Sequence, residues 1–446
     1  MKLSPLLQRI VNTKLHLSHR NFFLLLSIVV GIVAGLAAVA LKQATHGLEA
    51  LLEIHSKGTN YWLLIFPVIG ITLATLYTQI VQKGKLGRGI SNVVNNIYHK
   101  SSYMEKDKMY SHMITSSLTV GFGGSMGLEA PIVVTGSAFG SNIASLFNLD
   151  YKERTLLLAC GAAAGISAIF GAPIAGVLFA IEVLLGEFST VNFVPLLIAS
   201  AIASVISQLF YGTNQIFYIR TIGWDMKALP FYIALSAITG FYSVYVMKGI
   251  AFSEKILKPS LNPYKKAAIG GLILGGLVFL FPPMYGEGYH TVQRLLNTDY
   301  GALFDGSIFS NFENNDPHGI ALLLFTLGIL MVKIVATQLT MSSGGNGGFF
   351  APSLFMGSMV GFFFVYSVNY FGLCKIMGIA NLNEPNFIAV AMAGLMSGVM
   401  HTPLTAIFLI AEATGGYTLL VPLMIVSSFS FLISKYFMPH SIYVKH

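Results

Sequence analysis

The sequence predicts an all-α polytopic membrane protein with many broken or half-spanning helices, built from two related halves. Three observations predict it. Hydrophobic residues fill 54% of the 446 positions and charged residues only 10%, with a mean hydropathy of +0.71. A soluble chain carries roughly 25% charged residues, so much of this surface must face lipid. The apolar runs come in two lengths, some long enough to span and others cut short by Gly and Pro. Finally, a set of residues from the first half recurs in order in the second.

Taken in chain order, Lys2, Arg9, Lys14 and Arg20 precede the first apolar run and do not make the pattern of a signal peptide. Basic flanks stay cytoplasmic, which places the N-terminus inside. Runs 22–41 and 61–81 are full length, and the cluster Lys83, Lys85 and Arg88 after the second agrees with a return to the same side. Runs 192–210, 228–250, 319–340 and 417–437 are also full length. Segments 113–122, 131–147, 155–170, 172–185, 386–399 and 402–413 are short or interrupted. Broken helices survive in a bilayer only where protein or a water-filled cavity surrounds their backbone, so these interruptions argue for a transport pathway.

The repeat sharpens that argument. Ala130-Pro131 matches Ala351-Pro352, and Gly136, Ser137 and Gly140 match Gly357, Ser358 and Gly361 at the same spacing. Further on, Ser167, Pro173 and Glu182 match Ser397, Pro403 and Glu412. Related halves with corresponding broken helices place a transport site between the repeats, near the midplane.

Two motifs carry the chemistry. In G-L-E-A-P, Gly127 to Pro131, proline marks a helix start, with Ala130 as the cap and Glu129 just outside. The first N–H groups of a helix lack partners and its dipole makes that end partly positive, so it attracts anions. Glu129 is an anion already tethered there, which protonation or a swing aside would remove: a gate. In G-G-F-F-A-P, Gly347 to Pro352, the amides of Phe349 and Phe350 point outward from a second helix start, and the glycines let backbone approach an ion. A third loop, G-R-G-I-S from Gly87 to Ser91, is a weaker signal, because Arg88 suits the cytoplasmic interface as well as a site.

Other readings fall away. The net charge of +8 comes without an interleaved stacking platform, so no nucleic-acid partner is expected. Cys160 and Cys374 make neither a disulfide framework nor a metal site. The Gly run at 344–348 lacks the Lys-Ser/Thr of a phosphate loop. Gly123 to Gly127 fits G-x-S-x-G but lies in an apolar membrane segment, so no enzyme, catalytic residue or cofactor is expected.

Together these motifs resemble the CLC family of chloride channels and proton-coupled chloride exchangers, from about residue 22 to Tyr443. G-L-E-A-P, G-F-F-A-P at 348–352, a degraded G-R-G-I-S at 87–91, and the stretch GAAAGISAIFGAPIAGVLFAIE at 161–182 carry the likeness. It implies one transmembrane domain over 1–446 with inverted-topology repeats at roughly 22–215 and 228–443. It implies a homodimer in the plasma (inner) membrane, with both termini cytoplasmic and chloride or a similar anion as cargo. Glu129 falls on the family's gating acid, and Phe349 and Phe350 on the anion-holding amides. Gly348, Arg88, Gly89, Ile90 and Tyr443 fall on the remaining anion-binding positions. Many members continue into cytoplasmic CBS domains; none is expected in this chain.

The departures bear on mechanism. Arg88 stands where the family has Ser or Pro, and Leu128 replaces a basic residue. Val183 stands where many exchangers carry a proton-relaying acid, which leans toward a channel. Exchange with Glu129 as proton carrier is the alternative, with fluoride export and a transport-inactive receptor or scaffold behind it. Glu182 and Glu412 are read as structural acids at helix ends.

Overall fold

Phe66, Gly89, Pro263 and Pro403 each open a helix, and helices account for most of the described residues. The computed structural model describes residues 18–55, 61–87, 89–186, 190–212, 217, 223–253, 262–309 and 319–443. In chain order the helices are α1 His19–His55, α2 Phe66–Ile80, α3 Gly89–His99 and α4 Ser111–Gly121. Next come α5 Glu129–Leu146, α6 Tyr151–Phe170, α7 Pro173–Phe179 and α8 Thr190–Tyr211. The second half holds α9 Leu229–Ser253, α10 Pro263–Leu280, α11 Tyr289–Leu296 and α12 Ile320–Ser342. It ends with α13 Phe350–Tyr370, α14 Glu384–Met400, α15 Pro403–Ala413 and α16 Leu420–Phe437.

Nine helices among the described residues are long and apolar enough to cross a membrane, at roughly 1.5 Å of rise per residue. The protein is an integral multi-pass membrane protein. The apolar stretch Pro173–Leu185, with Glu384–Met400 and Pro403–Ala413, is shorter and stays inside the bundle. Tyr151–Phe170 and Phe350–Tyr370 have 78% of their apolar windows buried, against 33% for Tyr61–Ile80. The first two therefore line the centre while α2 faces outward.

Local sequence explains the boundaries. α6 opens on a reciprocal capping box, in which the Glu153 N–H donates to Asp150 Oδ1 at 2.8 Å and the Asp150 N–H to Glu153 Oε2 at 3.3 Å. It stops at Gly171, whose φ of +65° is left-handed. α14 stops in the equivalent way at His401, φ +60°. The repeat-matched glycines let helices touch backbone to backbone. A Cβ at Gly357 would lie 2.6 Å from Met392 Cα, and one at Gly361 would lie 2.8 Å from Ile388 Cα. Gly136 and Gly140 press on Gly161 and Leu157 in the same manner.

Three sequence expectations need correction. Helices α5 and α13 begin at Glu129 and Phe350 rather than at the prolines. Proline fits there because the third residue of a helix, like the first, has no N–H acceptor to lose. Segment 155–170 extends to a helix of 20 residues, Tyr151–Phe170. Finally, Pro263–Leu280 and Phe350–Tyr370 are candidate spans that the apolar runs did not reveal. Lys265, Lys266 and four glycines dilute the first, and Gly and Ser dilute the second.

Candidate functional site

Two glycine loops meet at the centre of the molecule, one from each half. Gly123 and Gly344 turn the chain at φ +89° and +106°, conformations that favour glycine. The next N–H folds back on its own half: Gly124 donates to the Thr119 carbonyl at 2.8 Å and Gly345 to the Thr340 carbonyl at 3.0 Å. The following N–H crosses over. Ser125 donates to Thr340 Oγ1 at 3.2 Å, and Asn346 donates to Thr119 Oγ1 at 3.0 Å. Finally the loops bond each other, Gly127 N–H to the Gly348 carbonyl at 3.0 Å and Gly348 N–H to the Gly127 carbonyl at 2.8 Å. Each of these bonds has a counterpart in the other half at a constant offset in sequence.

Helices α5 and α13 leave directly from this bridge, so their N-terminal ends lie side by side. Only glycine fits the bridge. A Cβ at Gly348 would lie 2.7 Å from Ala130 Cβ, and one at Gly127 would lie 2.7 Å from Ala351 Cβ. A third helix start joins them: Gly89 opens α3, and its Cβ position is 3.5 Å from Ala130 Cβ. Ile90 beside it is buried. Arg88 lies outside the described residues. Converging helix starts offer unpaired N–H groups and partial positive charge without a full cation.

Glu129 is the first residue of α5 and is fully buried. Its Oε1 accepts a hydrogen bond from the Tyr289 hydroxyl. The N–H groups of Glu129 and Ala351 face the carboxylate, yet Oε2 closes no hydrogen bond of normal geometry with any described residue. Phe350 holds the equivalent first position of α13, its ring packed on Phe170 at 5.3 Å and Phe179 at 6.3 Å. Phe349, half-buried, caps α13 through its carbonyl, which accepts from the Ser353 N–H at 3.0 Å. Tyr443 is buried with its hydroxyl 3.4 Å from Met400 Sδ. It lines a cavity of about 260 Å³ together with Val183, His401 and Lys435.

Glu182 and Glu412 sit apart from the bridge and cap helices of the opposite half. Glu182 accepts from the N–H groups of Leu404 at 3.0 Å and Thr405 at 2.8 Å, and from the Thr405 hydroxyl at 2.6 Å. Glu412 accepts from the N–H groups of Ile174 at 3.1 Å and Ala175 at 3.0 Å. Each carboxylate thus occupies the start of a helix that begins with proline, at Pro403 and Pro173.

Four side chains around the bridge escaped the sequence reading. Lys333 is fully buried, bonds Ser125 Oγ at 2.8 Å and lies 4.4 Å from the Phe355 ring centre. His112 is its counterpart under the other loop, donating from Nε2 to the Leu86 carbonyl at 3.1 Å and accepting at Nδ1 from Asn346 at 3.2 Å. Glu287, buried, accepts from the Leu128 N–H at 3.2 Å. Tyr289 follows it and reaches Glu129. The signal available was positional: His112 and Lys333 share the offset that relates Glu129 to Phe350, and Glu287 is an acid flanked by two glycines in a hydrophobic chain.

Comparison with known proteins identifies the family and the fold. A family model described as voltage gated chloride channel matches residues 69–435. The chain is 28% identical over 423 residues to the H(+)/Cl(-) exchange transporter ClcA of Vibrio cholerae, covering 91% of this chain and 84% of that one. It is 27% identical over 449 residues to the voltage-gated ClC-type chloride channel ClcB of Escherichia coli, covering 95% and 98%. Among solved structures, a CLC-type fluoride/proton antiporter superposes with a TM-score of 0.75 at 25% identity, over 96% of this chain and 98% of that one. A slow cyanobacterial Cl-/H+ antiporter superposes at 0.78 with 22% identity, over 96% and 97%, and shares the fold. With the family model spanning most of the sequence and the fold matching throughout, this chain belongs to the voltage-gated chloride channel (CLC) family.

Proposed function

We propose that the protein carries chloride, and small monovalent anions like it, across the membrane through the seat between α5 and α13, with Glu129 as the gate. The observation that carries this reading is the reciprocal Gly127–Gly348 pairing, which sets two helix starts together with a buried carboxylate between them. A dehydrated anion there meets backbone N–H groups and two favourable dipole ends. No fixed cation in the described residues touches the seat, so the ion can also leave. Glu129 competes for the same place, and an anion passes when that carboxylate is protonated or displaced. Phe349, Phe350, Gly348, Gly89 and Ile90 supply backbone around the seat, and Tyr443 lines the approach from the smaller cavity.

In this reading the start of α1 and the Lys83–Lys85 cluster face the cytoplasm. Lys42 lies 23 residues along α1 from His19, roughly 35 Å away, so the separate cavity that it lines with Glu287 and Tyr289 opens on the outer side. A homodimer belongs to the same proposal and rests on the family resemblance.

Two modes of transport have support. The apolar Val183 in the inner cavity wall suits passive conduction. The Tyr289–Glu129 hydrogen bond, which engages the gate with a proton-bearing group, suits proton-coupled exchange, as do relatives named as exchangers. Purified protein in liposomes, with chloride and proton movement recorded together, separates them. An imposed chloride gradient that drives protons uphill establishes exchange, and chloride flux without proton movement establishes conduction. Absence of any anion flux, or a Glu129→Gln variant with wild-type flux, would overturn the gate reading.

A further inference from the structure

A second buried acid stands behind the gate. Glu287 sits in a turn held by two left-handed glycines, Gly286 at φ +57° and Gly288 at φ +79°. The turn aims its carboxylate at the N–H of Leu128, the residue just before Glu129. Tyr289, two positions on, opens α11 and donates its hydroxyl to Glu129. One short segment therefore touches the gate from two directions. The same segment walls a cavity of about 560 Å³, lined by Lys42, Glu49, Glu287, Tyr289 and Arg294 among others. Glu287 is thus both next to the gate and next to water.

The charges that face the pair come from every neighbouring element. From α1 come Lys42, whose Nζ donates to the Ile169 carbonyl at 3.1 Å, and Glu49, which lies against Gly286 and is bonded to His46 at 3.0 Å. From α11 come His290 and Arg294, the latter paired with Asp299 at 2.9 Å and with Asp305. From α12 comes Lys333, beneath the same turn and 3.4 Å from the Met284 carbonyl. Tyr443, in the smaller cavity, interacts electrostatically with Glu129. Lys42 and Glu287 interact electrostatically, and so do Glu287 and Glu129.

We propose that Glu287 is a second proton-binding residue of the gate, loaded from the Lys42 cavity, and that Tyr289 is the latch that holds the Glu129 carboxylate in its seat. The proposal rests on the reading of Glu129 as gate. Two neighbouring carboxylates ionise together only at a cost. A proton entering from cavity water is shared by the pair, and the repulsion between the two carboxylates sets the pH at which Glu129 is neutralised and leaves. Lys42 opposes that effect by stabilising the charged forms. Tyr289 acts on position: its hydrogen bond is lost when the carboxylate swings away.

The test is chloride efflux from liposomes against outer pH, for wild type and for E129Q, E287Q, K42M and Y289F. Glu287→Gln keeps an acceptor for the Leu128 N–H but removes the charge, so the profile should move to lower pH by about one unit. Lys42→Met should move it the other way, to higher pH. Tyr289→Phe should raise efflux several-fold at neutral pH. Opposite shifts of this kind do not arise from a packing defect. If E287Q does not fold, as judged by gel filtration in detergent, the K42M shift carries the test. Unshifted profiles in folded E287Q and K42M, with E129Q altering flux, would overturn this proposal and leave the gate intact. An E129Q profile like wild type would overturn both.

Discussion

Glu129 and Phe350 occupy the same place in the two halves, each the first residue of a helix that springs from the glycine bridge. The glycine loops that lead to them share four matched hydrogen bonds from backbone N–H groups in each half, at one constant offset. The side chains differ: one end carries a buried carboxylate held by Tyr289, and the other a phenyl ring packed on Phe170 and Phe179. The symmetric part makes two partly positive ends face one point, which by itself is a static anion seat. The asymmetric part, on the proposed reading, fills that seat with an anion that cannot diffuse away. In the proposed function, the repeat supplies the binding site and one substitution within it supplies the control.

The largest expected effect comes from erasing that difference. Glu129→Ala makes the first end as uncharged as the second. Chloride affinity measured by calorimetry in detergent should rise roughly tenfold or more, since the tethered competitor is gone, and efflux should no longer follow pH. Unchanged affinity would mean that Glu129 and a diffusing ion do not share a place, and the comparison would lose its functional content.

The second effect sharpens the comparison one layer down. Lys333 and His112 hold equivalent positions beneath the two loops, but one carries an amine and the other an imidazole. Lys333 is buried without a carboxylate partner among the described residues. When that amine holds its proton, its field reaches the seat through a dry interior, where charge acts over longer distances than in water. His112 instead accepts a hydrogen bond at Nδ1 while donating from Nε2, so its ring is neutral. Lys333→Met should weaken chloride binding by up to about tenfold, whereas His112→Gln should leave affinity within about twofold and act mainly on stability. Equal losses in both would assign Lys333 to support of the loop rather than to electrostatics.

The bridge itself gives the third. Gly348→Ala places a methyl group 2.7 Å from Ala130 Cβ, and overpacking of that kind costs about 1–3 kcal/mol. Its Tm in detergent should fall. Gly127→Ala meets Ala351 at 2.7 Å as well, but it also strikes the Glu129 carboxylate. Both variants should lose stability, and only Gly127→Ala should also alter the pH dependence of efflux.

What the sequence made legible follows from these same particulars. The repeated Ala-Pro pairs located both helix starts to within two residues, because proline is confined to the first turn whichever of its positions it takes. Glu129 stood out because an acid in an apolar, glycine-rich run has few structural explanations. The bonds between the loops were out of reach, since Thr119 and Thr340 look like ordinary helical threonines until the halves are placed face to face. Glu287 and Tyr289 were hidden for the same reason. The Leu128–Glu287 bond joins residues 159 positions apart, and no local pattern in Y-G-E-G-Y-H announces its partner. Two further helices escaped because glycines that serve close packing also break the apolar runs by which spans are found.

The smallest expected effect concerns the outer pair of acids, where symmetry holds almost completely. Glu182 and Glu412 each receive two backbone N–H groups from a helix of the other half, but only Glu182 receives a hydroxyl, from Thr405. The matching position on the Glu412 side is Ala175. Thr405→Ala therefore makes the two caps alike. It should cost about 1 kcal/mol, the worth of one hydrogen bond to a carboxylate that keeps its other partners. Glu182→Ala should cost more, because two N–H groups and a hydroxyl lose their acceptor at once. Thermal unfolding in detergent would rank the variants. A Thr405→Ala loss as large as that of Glu182→Ala would mean that the hydroxyl, and not the paired N–H groups, fixes this carboxylate. The near symmetry of the two caps would then be a likeness of geometry without a likeness of energy.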